Sequence, residues 1–185
     1  PRMIENITNP QQVIWGEDRS IFFVVNGDIF EYDVEKDISK KVATRRDNEF
    51  VGIDKESGLI FCKIEHFTIT SKDEYSTKFT LRDLDGDFEK ELYFFETIRP
   101  IYLDREKIIA TTAMDFLQER FFEIDVLSGK GKEIEEPEEK VPGIFVDLEI
   151  EFKDIYIKDE NNYVIEDVFG NVYVRTDKSY IKNLD

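Results

Sequence analysis

Few residues in this chain have the types and spacing that chemistry needs. Asp83-Leu84-Asp85-Gly86-Asp87 sets three carboxylates at alternate positions, with Glu89 and Glu91 just beyond. Calcium takes six to eight oxygens, often from such a loop. Here the glycine falls one residue before the place a calcium loop requires. Asp83, Asp85 and Asp87 therefore stay a calcium candidate but read first as a solvated turn between strands. His66 is the single histidine, with an intrinsic pKa suited to a general base or a proton switch. It stands in a polar stretch beside Glu65, and neither Ser71 nor Ser76 lies in the Gly-x-Ser-x-Gly turn of a nucleophile elbow. Cys62, the only cysteine, falls inside the apolar run Leu59–Ile64 and reads as a small buried hydrophobe. None of the nine glycines form Gly-x-Gly-x-x-Gly, so no phosphate cradle is expected. No catalytic residue, no cofactor and no metal beyond that calcium candidate are assigned.

The composition bounds the classes of partner. The 185 residues include 25 Lys and Arg against 42 Asp and Glu, a net charge of −17. Such a surface repels phosphate backbones, so general nucleic-acid binding is not expected. The longest apolar run, Ile21–Val25, is far shorter than the ~20 residues of a membrane-spanning helix. Hydrophobic residues at 41% and aromatics at 14% belong to a folded chain. Scarce glutamine with abundant Glu, Lys and Ile leans towards a thermophile. The opening Pro1-Arg2-Met3 suggests a domain cut from a longer protein. A lone thiol suits either side of a membrane, and the cytoplasm is the working expectation for the compartment.

The elements that would position any site are strands. Apolar segments are short, β-branched or aromatic, and bounded by Asp, Gly or Asn. Asn26-Gly27 is the strongest hairpin signal, because both turn positions need positive φ. One pattern recurs in FEYDVEKDISKKV (30–42), LRDLDGDFEKEL (81–92), FEIDVLSGKGKEI (122–134) and IEDVFGNVYVRT (165–176). Its corners are Asp33, Asp83, Asp125 and Asp167, spaced by 50, 42 and 42 residues. An aspartate there caps the amides two residues on. Gly86, Gly129 and Gly170, with Asp37 in the first unit, supply the positive φ. A period of about 40–45 residues with four strands per unit is that of a β-propeller blade. The longer first interval is assigned to a hairpin loop, Glu65–Ser76.

The expected fold class is all-β: an array of about four four-stranded antiparallel blades in a single domain, 1–185. The units run about 12–45, 49–96, 98–136 and 143–176. A β-sandwich or part of a larger propeller are the alternatives. In the first unit Val13–Trp15, Ile21–Val25, Ile29–Val34 and Ile38–Val42 are the four strands. Residues 1–11 or 177–185 would complete the last blade and cover its edge. With Trp15, Asp18, the apolar run and the Asp33 turn, residues 13–42 resemble the repeat of TolB-like and WD-type propellers. That resemblance implies a fold and no particular activity.

Loops with apolar content then decide the functional reading. Phe67 and Ile69 lie in the long hairpin, Phe116 and Leu117 in the hairpin Ala113–Glu119, and Arg45 and Arg46 in the loop 45–48. In the blade layout all three emerge on one face. Aromatics beside arginine are common ingredients of a binding hot spot. The expected function is a non-enzymatic interaction or scaffold module that binds a protein partner or joins a larger assembly through Arg45, Arg46, Phe67, Phe116 and Leu117. The acidic stretch Glu133–Glu139 reads as a solvated connector. The alternative is a ligand-, sugar- or calcium-binding propeller, or a hydrolase, with Asp18, Asp54, Asp104 and Asp147 converging in a central funnel.

Overall fold

A computed structural model describes residues 2–16, 20–54, 58–69, 74–113, 118–137, 152–159 and 161–176. The described residues form strands and turns and no helix. The strands are β1 (Arg2–Thr8), β2 (Gln12–Trp15), β3 (Ser20–Val25), β4 (Asp28–Asp33), β5 (Ile38–Thr44), β6 (Glu49–Asp54), β7 (Gly58–Ile69) and β8 (Glu74–Asp83). They continue as β9 (Glu89–Phe94), β10 (Ile98–Leu103), β11 (Lys107–Thr112), β12 (Phe121–Asp125), β13 (Gly131–Ile134), β14 (Phe152–Asp159), β15 (Asn162–Asp167) and β16 (Asn171–Arg175). They make four antiparallel sheets of four strands: β2-β3-β4-β5, β6-β7-β8-β9, β10-β11-β12-β13 and β1-β16-β15-β14. This is the four-bladed β-propeller class that the repeat predicts.

The chain divides into two compact units, one holding β1–β5 and β14–β16, the other β6–β13. In the first, Asn26 (φ 51°) and Gly27 (φ 85°) make the predicted tight turn and pair Val25 with Asp28. Ile21 and Phe23 of β3, Tyr32 of β4, and Val164, Val172 and Val174 of the other sheet share its core. The segment before β2 does complete the last sheet: β1 pairs antiparallel with β16, Arg2 opposite Val174. Arg2 then ties that sheet to its neighbour. Its guanidinium donates to the Tyr32 hydroxyl and to the Val34 carbonyl, and meets Asp37 at 3.3 Å. The Tyr32 hydroxyl donates in turn to Asp37 at 2.8 Å. Burial and that carboxylate push the Tyr32 pKa up to about 12.

In the second unit, Ile60, Cys62, Phe79, Leu81 and Leu92 pack against Ile98, Leu103, Ile108, Ala110, Phe122 and Ile124. Alternation explains the selection. Residues of one parity on β7 and β8 face this core, and the other parity carries Lys63, Glu65, Lys78 and Arg82. Full burial of each such aliphatic or aromatic side chain contributes about 1.5–3 kcal/mol.

The four aspartyl corners are built alike. Asp33 accepts from the Glu35 and Lys36 amides at 3.0 Å. Asp83 accepts from Gly86 at 2.6 Å and Asp125 from Ser128 at 2.6 Å. Asp167 accepts from Phe169 at 2.8 Å and from Asn171 at 2.9 Å. Asp37, Gly86, Gly129 and Gly170 take φ between 58° and 83°, the values that let each turn close on its aspartate.

One expectation is corrected. Glu65–Ser76 is not a long loop. The β7–β8 ladder runs on through Glu65↔Lys78, His66↔Thr77 and Phe67↔Ser76 to Ile69↔Glu74. His66 and Phe67 therefore stand on a strand with fixed side-chain directions. The added length of this unit lies in its longest pair of strands.

Candidate functional site

The lengthened β7–β8 hairpin and the adjoining β9 carry the most distinctive surface of the second unit. Register places Lys63, Glu65 and Phe67 of β7 on one sheet face with Ser76, Lys78 and Arg82 of β8 and Glu89, Glu91 and Tyr93 of β9. Along that face charges alternate in sign and pair: Lys63 with Glu65 at 2.8 Å, and Lys78 with Glu91 at 2.5 Å. Beyond these pairs come aromatics. Phe67 and Tyr93 meet edge to face, with centroids 6.3 Å apart and planes at 77°, a favoured geometry for aromatic pairs. The Lys78 ammonium lies 5.7 Å from the Tyr93 ring centre. Phe67 is 40% exposed, Tyr93 55%, and Phe95, which follows β9, 78%. Ser76, opposite Phe67 on the ladder, is buried, and its hydroxyl has no hydrogen-bond partner among the described residues.

At the other end of the same face a charge is buried. Glu49 is 3% exposed and receives two bonds from Arg82, Nε and Nη2, each at 2.8 Å. The Arg46 amide adds a third at 2.7 Å. Burial pushes the Glu49 pKa up, but the Arg82 bonds and the Arg46 amide outweigh it and hold the carboxyl below its usual value. The Arg82 guanidinium also lies 4.1 Å over the Phe61 ring, so it is clamped from below as well.

The predicted site residues are distributed as follows. Arg45 donates to the Glu49 carbonyl at 3.0 Å, while Arg46 is exposed and holds Glu49 through its backbone. The Ile64 amide donates to the Asn48 carbonyl at 3.3 Å, so this loop lies against β7, three residues from Phe67. Phe116 and Leu117 lie outside the described residues. Asp83 spends one carboxylate oxygen on the Gly86 amide, and the other lies 3.6 Å from Arg105. Asp85 and Asp87 are exposed. Among the described residues no three His, Cys, Asp or Glu side chains are grouped to hold a metal. Of the funnel carboxylates, Asp54 pairs with Arg105 at 3.4 Å. Asp104 caps the β10–β11 turn, accepting from the Glu106 and Lys107 amides at 2.8 and 2.7 Å. Asp18 and Asp147 lie outside the described residues.

His66 is placed by the ladder. Thr77 Oγ1 donates to the Glu96 carbonyl at 2.7 Å and accepts from the Ile98 amide at 3.0 Å. With that proton committed, the 3.1 Å contact to His66 Nδ1 requires the ring to donate from Nδ1. Partial burial lowers the His66 pKa. It serves here as a brace between β7 and β8.

Tyr93 and Phe95 were not singled out by sequence reasoning. The signal was present: in EKELYFFE the core residues Leu92 and Phe94 alternate with Tyr93 and Phe95, which places the latter two on the opposite face. The Glu49–Arg82 pair joins positions 33 residues apart and becomes visible only with the register.

The class this architecture defines is a β-propeller of four-stranded blades. No protein-family model matches the chain, and no curated protein matches it. Among solved structures the AfRom2 CNH domain aligns with 95% of this chain at 11% identity and a TM-score of 0.37. The chain spans 57% of the length of that domain. No helix among the described residues is long and apolar enough to cross a membrane.

Proposed function

We propose that this chain is a non-enzymatic interaction module that presents a β-propeller surface to a protein partner or a larger assembly. The observation that carries the reading is the exposed aromatic pair Phe67 and Tyr93 on β7 and β9, with exposed Phe95 just after β9, bordered by charge pairs. Rigid aromatics lose little side-chain entropy on binding and dominate interface energetics. A continuous ladder beneath them keeps that loss small. Arg45 and Arg46 lie beside the hairpin and belong to the proposed set, and Phe116 and Leu117 belong to it from their sequence alone. Within propellers, Trp15 and the Asp33 turn keep residues 13–42 closest to the TolB-like and WD-type repeat. The carboxylates that a funnel site would use are, where described, engaged with arginine or turn amides.

The test pairs two measurements. Cross-linking and affinity capture from the source cells, with the wild-type chain and with Phe67→Ala/Tyr93→Ala/Phe95→Ala, should enrich a protein that the triple variant loses at unchanged Tm. Thermal shift with calcium, other divalent ions and sugars should show no stabilisation. Ligand at 100 Kd raises stability by about 2.7 kcal/mol, so a clear shift would replace this reading with the ligand-binding one.

A further inference from the structure

The way such a partner binds is written in the free edge of β9, an inference that rests on the interaction reading. A terminal strand offers unpaired amides and carbonyls, and proteins blunt such edges with lysines, bulges or short strands. Three of the four closing strands are blunted. β5 carries Lys40 and Lys41 and pairs with a register shift at Ile29/Phe30. β1 is interrupted between Met3 and Thr8, with Asn6 at φ 68°. β13 has four residues. β9 has no bulge and is not cut short: its six residues, with Glu89, Lys90 and Glu91 as its charges, pair with β8 without a break from Glu89 to Phe94, and among the described residues no strand pairs its other side.

The backbone polarity of that edge follows from one bond. The Asp83 amide donates to the Phe88 carbonyl at 3.3 Å. In an antiparallel ladder bonded pairs alternate, so Lys90, Leu92 and Phe94 turn their amides to β8. Glu89, Glu91 and Tyr93 turn theirs outward. Their side chains share the face that holds Phe67. A strand added here would have its backbone bonded by Glu89, Glu91 and Tyr93. Its side chains would lie beside two carboxylates, Glu89 and Glu91, the second of which is shared with Lys78 of β8, and then an aromatic ring.

We propose that β9 takes up an extended segment of a partner protein by strand addition. The segment carries basic residues opposite Glu89 and Glu91 and an apolar residue opposite Tyr93. Antiparallel docking reads apolar-x-basic-x-basic along the partner, and parallel docking reads basic-x-basic-x-apolar. Charge selects this occupant over a second copy of the chain, because two surfaces of net charge −17 repel.

The probe is an array of ten-residue peptides in these two patterns, using Lys or Arg with Phe, Ile or Val, beside scrambled versions of equal composition. A patterned peptide should bind in fluorescence anisotropy, and N-methylation of its alternate amides facing β9 should weaken it at least tenfold. Glu91→Pro removes one outward amide and spares the β8 ladder, so it should abolish binding, whereas Glu91→Gln should weaken it a few-fold. If the proline variant does not fold, the N-methylated peptide decides the matter on the wild-type chain. Three results would overturn strand addition: no patterned peptide exceeding its scramble, indifference to N-methylation, or sedimentation of the chain alone as a dimer. None of these touches the capture experiment with the triple aromatic variant, which judges the interaction reading separately.

Discussion

Replacing Arg82 by Met tests the buried end of the hairpin face. Met fills much of the same volume over Phe61 but leaves Glu49, 3% exposed, without its two guanidinium bonds. Breaking a buried pair by removing one partner costs about 3–5 kcal/mol. The Arg46 amide stays in place at 2.7 Å, so the lower end, about 3 kcal/mol, is expected. For a chain of this size that corresponds to a fall of about 6–12 °C in Tm. Glu49→Gln should cost less, about 1–2 kcal/mol, because Arg82 is 18% exposed and can turn to water. The pH dependence carries a sign. In the wild type the Glu49 pKa is depressed, so its contribution is present above the unfolded carboxyl pKa and is lost as pH falls through the folded value. In the variant burial dominates and the folded pKa rises, so protonation relieves the buried charge at low pH. The difference in stability between the two proteins should shrink as pH falls from 7 to about 4.5. Urea unfolding across that range measures it. A cost under about 1 kcal/mol with no pH trend would mean that Glu49 is solvated and the pair behaves as a surface ion pair.

Three further outcomes are expected. Gly52→Ala would set a methyl against the Leu103 carbonyl, 2.8 Å from its carbon; backbone cannot yield there, and a loss of about 3 kcal/mol should appear in chemical denaturation. Burial pushes the Cys62 thiol up to about 12, so a disulfide reagent at pH 8 should label the native protein no faster than it unfolds; immediate stoichiometric labelling would refute that burial. Bonds from the Lys36 and Ser128 side chains, then turn amides, hold the Asp33 and Asp125 carboxyls below their usual values, and burial of Asp167 is outweighed by the Asn171 side chain and turn amides, which hold it low as well. Their stabilisation is present above the unfolded aspartate pKa and lost as pH falls through the folded ones, so the urea midpoint should drop between pH 5 and 3, and a flat profile would dismiss the turns as acid-sensitive elements.

The propeller was legible because its corners are chemical: an aspartate that caps amides and a residue that tolerates positive φ leave marks at fixed spacing. The strands of the first sheet were legible because β-branched and aromatic runs end at Asn-Gly and at Asp. The ladder from Glu65 to Ser76 was misread for a physical reason. Its outer part buries polar side chains, Ser76 and Thr77, so His66, Thr68 and Lys78 show none of the apolar alternation that marks a half-buried strand, and polar content reads as loop. Pairing there is sustained by backbone bonds and cross-strand contacts such as His66 with Thr77. The binding surface was half visible. Phe67 is legible as a binding aromatic beside Ile69, but its contact with Tyr93 depends on register across three strands, which no local window contains. Arg45 and Arg46 are legible as a basic pair in a loop, while their ties to Glu49, one through its side chain and one through its amide, depend on the fold.

The pairing of β1 with β16 has a consequence for how the molecule comes into being. Strands β6 to β13 form one uninterrupted stretch and can fold as soon as that stretch has left the ribosome. The sheet that contains β1 must wait for β16 to be made, and until then Ile4 and Ile7 lack Val164, Val172 and Val174 of their shared core. Moving β1 to follow β16 through a short linker would exchange that long wait for a local closure, and should speed refolding of the first unit while leaving the second unchanged.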